Sequence, residues 1–290
     1  MLKVIIKAIR VHQWTKNLLL FLPLILSHRV GELESLLLCF GGFIAFSFAA
    51  SSIYIINDIV DVESDRQDPV KSKRPFASGR LSPFTGYLLA AGLLVVSMII
   101  SYTINQKFLT VVIIYSILSV SYSTIFKKIF ILDVILLSAF YTLRIIAGSL
   151  AIDTEITNWL LAFSLFVFLS LALVKRYSEL QSSIAVARER IPGRNYEAMD
   201  LPLVSMFGAG SGLMSVLVLL LYINDPLITD KYHTPNWLWG VAVMMLYWII
   251  RIWFLANRGV VQSDPIMFAV KDWPTYVMGF FSLGFIYLAV

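Results

Sequence analysis

The feature that most constrains this chain is a succession of apolar runs, most of them long enough to cross a bilayer, separated by polar gaps. A helix crossing hydrocarbon about 30 Å thick needs roughly 20 apolar residues, because no water is present there to satisfy an exposed peptide group. Nine runs meet or approach that length, near 15–31, 36–56, 85–104, 108–124, 130–150, 158–174, 202–222, 236–256 and 273–290, and Pro23 is expected to kink the first. Only 14% of the 290 residues are charged and 59% are hydrophobic, whereas about a quarter of a soluble domain is charged. The prediction is an all-α, polytopic membrane protein of nine transmembrane helices in one domain, residues 1–290.

Cations retained in short loops mark the cytoplasmic side. Lys3, Lys7, Arg10 and Lys16 precede or open the first run, and Arg66, Lys71, Lys73, Arg74 and Arg80 lie between the second and third. Lys127 and Lys128, then Lys175, Arg176, Arg188, Arg190 and Arg194, then Arg258 and Lys271 occupy the later gaps on that side. The opposite gaps hold Arg29, Lys107 and Lys231 among the acids Glu32, Glu34, Asp153, Glu155, Asp225 and Asp230. An integral inner-membrane protein with a cytoplasmic N-terminus follows. The formal charge of +5 is then a matter of topology, and no nucleic-acid partner is expected. Cys39 stands alone in an apolar run, and His12, His28 and His233 are isolated, so neither a disulfide nor a soft-metal site is expected.

The chemistry-bearing stretch is NDIVDVESDRQDPVKSKRPFASG, which starts at Asn57 directly after the second apolar run. If the helix continues, Asn57, Asp61 and Asp65 fall at i, i+4 and i+8 with Asp58 close by, so four oxygen-bearing side chains share one face. Those carboxylates repel one another unless a cation intervenes. Mg²⁺ suits them, since it accepts a few carboxylate oxygens and takes its other ligands from water and substrate phosphates. Lys71, Lys73 and Arg74 follow immediately as cations for the rest of a diphosphate. A calcium loop fits less well, because the central glycine and terminal Glu of that pattern are missing.

The NDxxDxxxD string with Arg74, Pro75 and Gly79 downstream resembles the first aspartate motif of the UbiA superfamily of intramembrane prenyltransferases. With the opening KAIRVHQWTKN, the stretch YTLRIIAGSLA and the segment KRYSEL, the chain is most similar to the decaprenyl-phosphate phosphoribosyltransferase branch. The resemblance implies a central cavity in which Asn57, Asp58, Asp61 and Asp65 carry the Mg²⁺-diphosphate of phosphoribosyl pyrophosphate or an isoprenyl diphosphate. It also implies a polyprenyl phosphate lipid as acceptor, with Lys175, Arg176 and Tyr177 in the polar cavity. Typical members carry a second DxxxD motif where this chain has LALVKRYSELQ, a substitution of cations for acids that suits an anionic acceptor. Asp58, Asp61, Arg74 and Lys175 are the catalytic candidates.

Three positions stay open at this level. Arg144 lies well inside the fifth run, where a central cation costs about 2.5–3.5 kcal/mol, and it contacts either substrate or a structural partner. Asp133 and Tyr141 fall on roughly the same helical face and are expected to line the cavity with it. Lys16 and Asn17 either anchor the first helix at the headgroups or reach a phosphate in the cavity. Two further readings are a prenyltransferase acting on an aromatic or other small acceptor, and a carrier of an anionic or lipid substrate, since intramembrane charge also marks transport paths.

Overall fold

The computed structural model describes residues 2–290 except 69, 187–189, 192–193, 226–231 and 262–263. Arg188, Asp230 and Lys231, used above to orient the chain, therefore lie outside the described residues. The described residues are helical apart from turns, loops and one isolated β-bridge between Arg190 and Glu197. They form two compact units, residues 1–125 with 143–156, and residues 126–142 with 157–290.

The first unit opens with α1 (Leu2–Ala8), a 3₁₀ segment (Val11–Phe21) and α2 (Leu22–Leu26). It continues through α3 (Leu33–Val60), α4 (Val62–Gln67), α5 (Pro83–Ile104) and α6 (Gln106–Thr124), and takes the second half of α7 (Leu132–Ala151). α3 packs on α5, α6 and the 3₁₀ segment. The second unit holds the first half of α7, α8 (Asn158–Ala185), α9 (Leu201–Ile223), α10 (Leu238–Asn257), α11 (Pro265–Ala269) and α12 (Trp273–Ala289). There α8 packs on α9, and α10 packs on α8, α9 and α12.

Among the described residues, seven helices are long and apolar enough to cross a membrane, and the apolar α12 is shorter. The expected first span at 15–31 is not one long α-helix. Its place is taken by the 3₁₀ segment and α2, which begins just before Pro23, a residue without an N–H to give. The 3₁₀ geometry has a local reason. Side chains three apart eclipse in it, so Trp14, Asn17 and Leu20 align in one row. Trp14 and Asn17 donate to Ser51 (3.0 Å) and Ser47 (2.9 Å) of α3, and Leu20 is fully buried.

Two helices outrun their predicted spans. α3 and α8 are each 28 residues, about 42 Å at 1.5 Å per residue, so each exceeds the hydrocarbon by about two turns. The surplus carries Asn57 and Asp58 on α3 and the stretch from Lys175 to Gln181 on α8, so these polar groups ride on rigid helix ends.

Small residues set the close approaches. A Cβ on Gly148 of α7 would fall on the carbonyl oxygen of Leu20, a backbone atom with no rotamer to yield. A Cβ on Gly92 of α5 meets nothing within 4 Å. Gly148→Ala is expected to lower stability by about 1–3 kcal/mol through overpacking. Gly92→Ala is expected to be neutral or to gain up to about 1 kcal/mol from helix propensity. Melting of the two purified variants in one detergent checks this, and equal melting temperatures would refute the assigned contact.

Candidate active site

One face of α3 assembles the polar centre of the first unit. Ser47, Ser51, Tyr54 and Asp58 recur at spacings of four, three and four, which places them in one stripe along an otherwise apolar helix. Ser47 accepts from Asn17, and Ser51 accepts from Trp14 while donating to the Ile9 carbonyl at 2.7 Å. The Arg10 guanidinium lies 5.3 Å from the centre of the Tyr54 ring and pairs with both oxygens of Asp58. Arg10 holds this pose with a left-handed backbone (φ 52°, ψ 49°), a conformation that costs a non-glycine residue energy and persists only when its surroundings enforce it.

The acid motif continues across the end of α3. Asp61 interrupts the helix (φ −87°, ψ 7°), yet the Asp61 N–H bonds the Asn57 carbonyl at 2.9 Å and the Asp65 N–H bonds the Asp61 carbonyl at 2.8 Å. The i, i+4, i+8 spacing expected from the sequence therefore survives in the hydrogen bonds. Asp58 and Asp65 are buried, and Arg74 reaches both, at 3.1 and 2.7 Å. Asp61 is half-buried, and Asn57 donates to Ser123 at 2.8 Å, which leaves its amide oxygen as an acceptor.

Repulsion among the acids is thus relieved by two arginines bound to Asp58 and Asp65. Among the described residues no three His, Cys, Asp or Glu side chains form a ready-made metal cage. The donor set still fits Mg²⁺, being made of hard oxygens from Asn57, Asp58, Asp61 and Asp65.

The loop after α4 presents the other cations. Asp68 accepts from the backbone N–H groups of Lys71 (2.9 Å) and Val70 (2.8 Å), which hold its carboxyl below the usual range and close the turn. Lys71 and Lys73 are exposed on it, and Lys7 donates to the Lys73 carbonyl at 3.1 Å. Gly79 takes a positive φ of 71°.

Deeper in the same unit Arg144 is buried and donates to Asn17 at 2.8 Å and to the Tyr115 hydroxyl at 3.4 Å. Its guanidinium lies over the Phe46 and Tyr115 rings at 5.4 and 5.3 Å. Arg144 and Asn17, 127 positions apart in sequence, are therefore one constellation. Lys16 is half-buried on the 3₁₀ segment beside Asn17.

A second polar centre belongs to the other unit. Asp133, fully buried, accepts from Arg176 at 2.7 Å, Arg194 at 3.3 Å and the Tyr196 hydroxyl at 2.7 Å. Arg176, also fully buried, pairs with Glu179 as well. Burial first, and then the Asp133 carboxylate, push the Tyr196 hydroxyl far above its ordinary range, so it remains a donor. Tyr141 stacks on Phe168 with centroids 5.0 Å apart, and Tyr177 donates to Asn257 at 2.7 Å. Lys175 is half-buried one position before Arg176. The sequence reading missed Arg10 as a partner of the acid motif, and it missed Arg194 and Tyr196. Their pairings close over 48, 61 and 63 positions, and no local spacing signals them.

The sequence pattern of the UbiA prenyltransferase family matches residues 18–270. This chain belongs to that family. As a UbiA-family protein it is an integral-membrane transferase. It is 37% identical to the decaprenyl-phosphate phosphoribosyltransferase of Mycolicibacterium smegmatis over 92% of this chain and 86% of that protein. It is 33% identical to the nodulation protein NoeC of Azorhizobium caulinodans over 97% of this chain and 92% of that protein. An uncharacterized protein of Sinorhizobium fredii, y4nM, is 34% identical over 94% of this chain, which spans about half (53%) of that longer protein. The fold is shared with a UbiA homolog from Archaeoglobus fulgidus solved with GPP and Mg²⁺, at TM-score 0.69 and 17% identity over 98% of this chain and 97% of that one. A digeranylgeranylglyceryl phosphate synthase structure gives TM-score 0.68 at 18% identity over 99% of this chain and 98% of that one.

Breaking one side of the second centre is expected to be costly, because Arg176 would be left buried beside a missing charge. Asp133→Leu should destabilise the protein by about 3–5 kcal/mol. Adding Arg176→Met should restore part of that loss by removing a buried cation that has lost one of its carboxylates. Urea or thermal unfolding of the two single variants and the double variant measures the coupling, and additive losses would contradict it.

Proposed function

We propose that this UbiA-family transferase moves a 5-phosphoribosyl group from phosphoribosyl pyrophosphate to a polyprenyl phosphate, with Mg²⁺, at the cytoplasmic face of the inner membrane. The observation that carries the reading is the mixed mouth of the first unit. Buried carboxylates for a divalent ion stand against Arg10 and Arg74, whose guanidinium forks suit diphosphate oxygens. The similarity to the mycobacterial phosphoribosyltransferase supports this choice of donor and acceptor. The single-domain reading is kept, since the family match runs through both units.

The nine-span topology belongs to the same proposal. Eleven 3₁₀ residues at about 2.0 Å each and five α-helical residues at about 1.5 Å reach about 30 Å, enough for the N-terminal segment to cross. The N-terminus, the acid motif and the Lys175 segment then lie on the cytoplasmic side.

In this reaction the C1–O bond to diphosphate breaks with its electron pair leaving on the diphosphate, and a C1–O bond to the lipid phosphate forms. Asn57, Asp58, Asp61 and Asp65 would hold Mg²⁺, which when bound would neutralise charge on the departing diphosphate. Arg10, Arg74, Lys71 and Lys73 bind the remaining diphosphate oxygens and stabilise the charge that develops on them. The lipid phosphate is already ionised, so no general base is needed. Lys16, Asn17 and Arg144 of the first unit, and Tyr141, Lys175, Arg176 and Tyr177 of the second, are each assigned to substrate binding. Arg144 and Asn17 act as a preassembled pair, and Arg176 acts through its place in the Asp133 cluster.

Purified protein supplied with labelled phosphoribosyl pyrophosphate, polyprenyl phosphate and Mg²⁺ should yield labelled lipid, and a chelator should abolish the product. Asp61→Ala and Arg74→Ala should each lower turnover by about 10²–10³-fold, the range for losing one charge-stabilising group, with melting of Asp61→Ala little changed. Product from an isoprenyl diphosphate and an aromatic acceptor, with none from phosphoribosyl pyrophosphate, would select the prenyltransferase reading. Flux into liposomes without diphosphate release would select a carrier.

A further inference from the structure

The C-terminal half of α8 has two polar faces. Arg176 and Glu179 serve the Asp133 cluster, while Ser178, Gln181 and Ser182, at i, i+3 and i+4, line a cavity of about 710 Å³ closed by Leu201 of α9 and by Asn257 and Arg258 at the end of α10. Two polar atoms in this wall, Ser178 Oγ and Gln181 Oε1, are buried and have no hydrogen-bond partner among the described residues. Ser178 is 95% buried, at 5% exposure.

The orientation of the Gln181 amide is fixed chemically. Its nitrogen faces the Asn257 carbonyl at 3.0 Å, an atom that only accepts, so the oxygen is the orphaned end. Asn257 spends its side-chain oxygen on the Tyr177 hydroxyl at 2.7 Å, which leaves its NH₂ group as a donor. Among the described residues Arg258, which is exposed, makes no ion pair, and no carboxylate lines the cavity. Buried polar groups are retained without partners mainly where a ligand or water completes them. One water occupies about 30 Å³, far less than this space, whose volume falls in the range of small-molecule sites.

We propose that this cavity binds a phosphate ester that carries a free hydroxyl group. Arg258, the Asn257 NH₂ group and the Ser178 hydroxyl supply three donors of differing direction, which the several oxygens of a phosphate use together. Gln181 Oε1 accepts from the ligand's hydroxyl. Ile184, Ala185 and Val261 complete the wall with apolar contact. The site uses none of the residues assigned to the transferase reaction except Tyr177, which only orients Asn257, so it stands independently of the proposed function. The same chemistry is offered by a soluble sugar or glycerol phosphate and by the headgroup of phosphatidylglycerol.

The test uses the full chain in phosphatidylcholine nanodiscs, in EDTA so that a metal-dependent diphosphate site stays silent. Titration with glycerol 3-phosphate by calorimetry, and native mass spectrometry after adding phosphatidylglycerol, read the two sources. The expected result is one saturable site for at least one probe, weakened at least tenfold in both Arg258→Gln and Ser178→Val. If Ser178→Val fails to fold, Arg258→Gln, at an exposed position, decides alone. Soluble ester that binds undiminished in phosphatidylglycerol nanodiscs identifies a soluble ligand, and selective retention of phosphatidylglycerol that blocks the ester identifies a lipid. No saturable binding of either probe, or equal affinity in Arg258→Gln, would overturn the proposal.

Discussion

Charge compensation inside an apolar bundle is the constraint on which the rest of this structure depends. An isolated carboxylate taken out of water costs several kcal/mol, and only close, well-directed cations repay it. Asp58 and Asp65 meet that condition through Arg10 and Arg74, and Asp133 meets it through Arg176 and Arg194. In both centres acids sit on helices while cations arrive partly from loop segments. Arg10 comes from the N-terminal stretch, Arg74 from the loop after α4, and Arg194 from the stretch before α9. The ion pairs therefore pin connecting chain to the helical frame.

The N-terminal segment shows how far this pinning reaches. It lies along α3 because a stripe of serine, tyrosine and aspartate offers it partners at helical spacing, from Ser47 up to Asp58. A period-three 3₁₀ row matches that stripe, placing Asn17 between Ser47 and the buried Arg144. Arg144 sits against two aromatic faces and a carboxamide, contacts that favour a guanidinium inside an apolar unit.

Much of this was legible in the sequence. Long apolar runs located seven helices, and the oxygen-bearing side chains from Asn57 to Asp65 showed their helical spacing because both the motif and the helix obey the same local period. The expected first span failed as a continuous α-helix because hydropathy measures apolar length and is blind to the period-three row of Trp14, Asn17 and Leu20. Arg10, Arg194 and Tyr196 were hidden for a different reason. Their partners are set by tertiary packing, and an arginine before a hydrophobic run reads equally well as a headgroup anchor. Asp133 was expected on the face of Arg144, but α7 divides between the two units at 142/143, and Asp133 takes its partners from α8 and from the stretch before α9.

The ion pairs around Asp58 also bear on how a highly charged donor enters such a place. Arg10 and Arg74 offset Asp58 and Asp65, so these four groups are neutral before anything binds. In the reaction proposed for this protein, a divalent ion and a diphosphate arrive as partners of opposite sign. The carboxylates would then hold the ion and the guanidinium groups phosphate oxygens, so existing contacts would exchange and little new charge would be buried. Preassembled opposite charges of this kind lower the reorganisation needed at binding, which is the advantage of dipoles and ions fixed in advance of the transition state. Acids alone would attract the metal and repel the phosphate, and arginines alone would do the reverse. The interleaving of Asp58, Asp65, Arg10 and Arg74 would suit both.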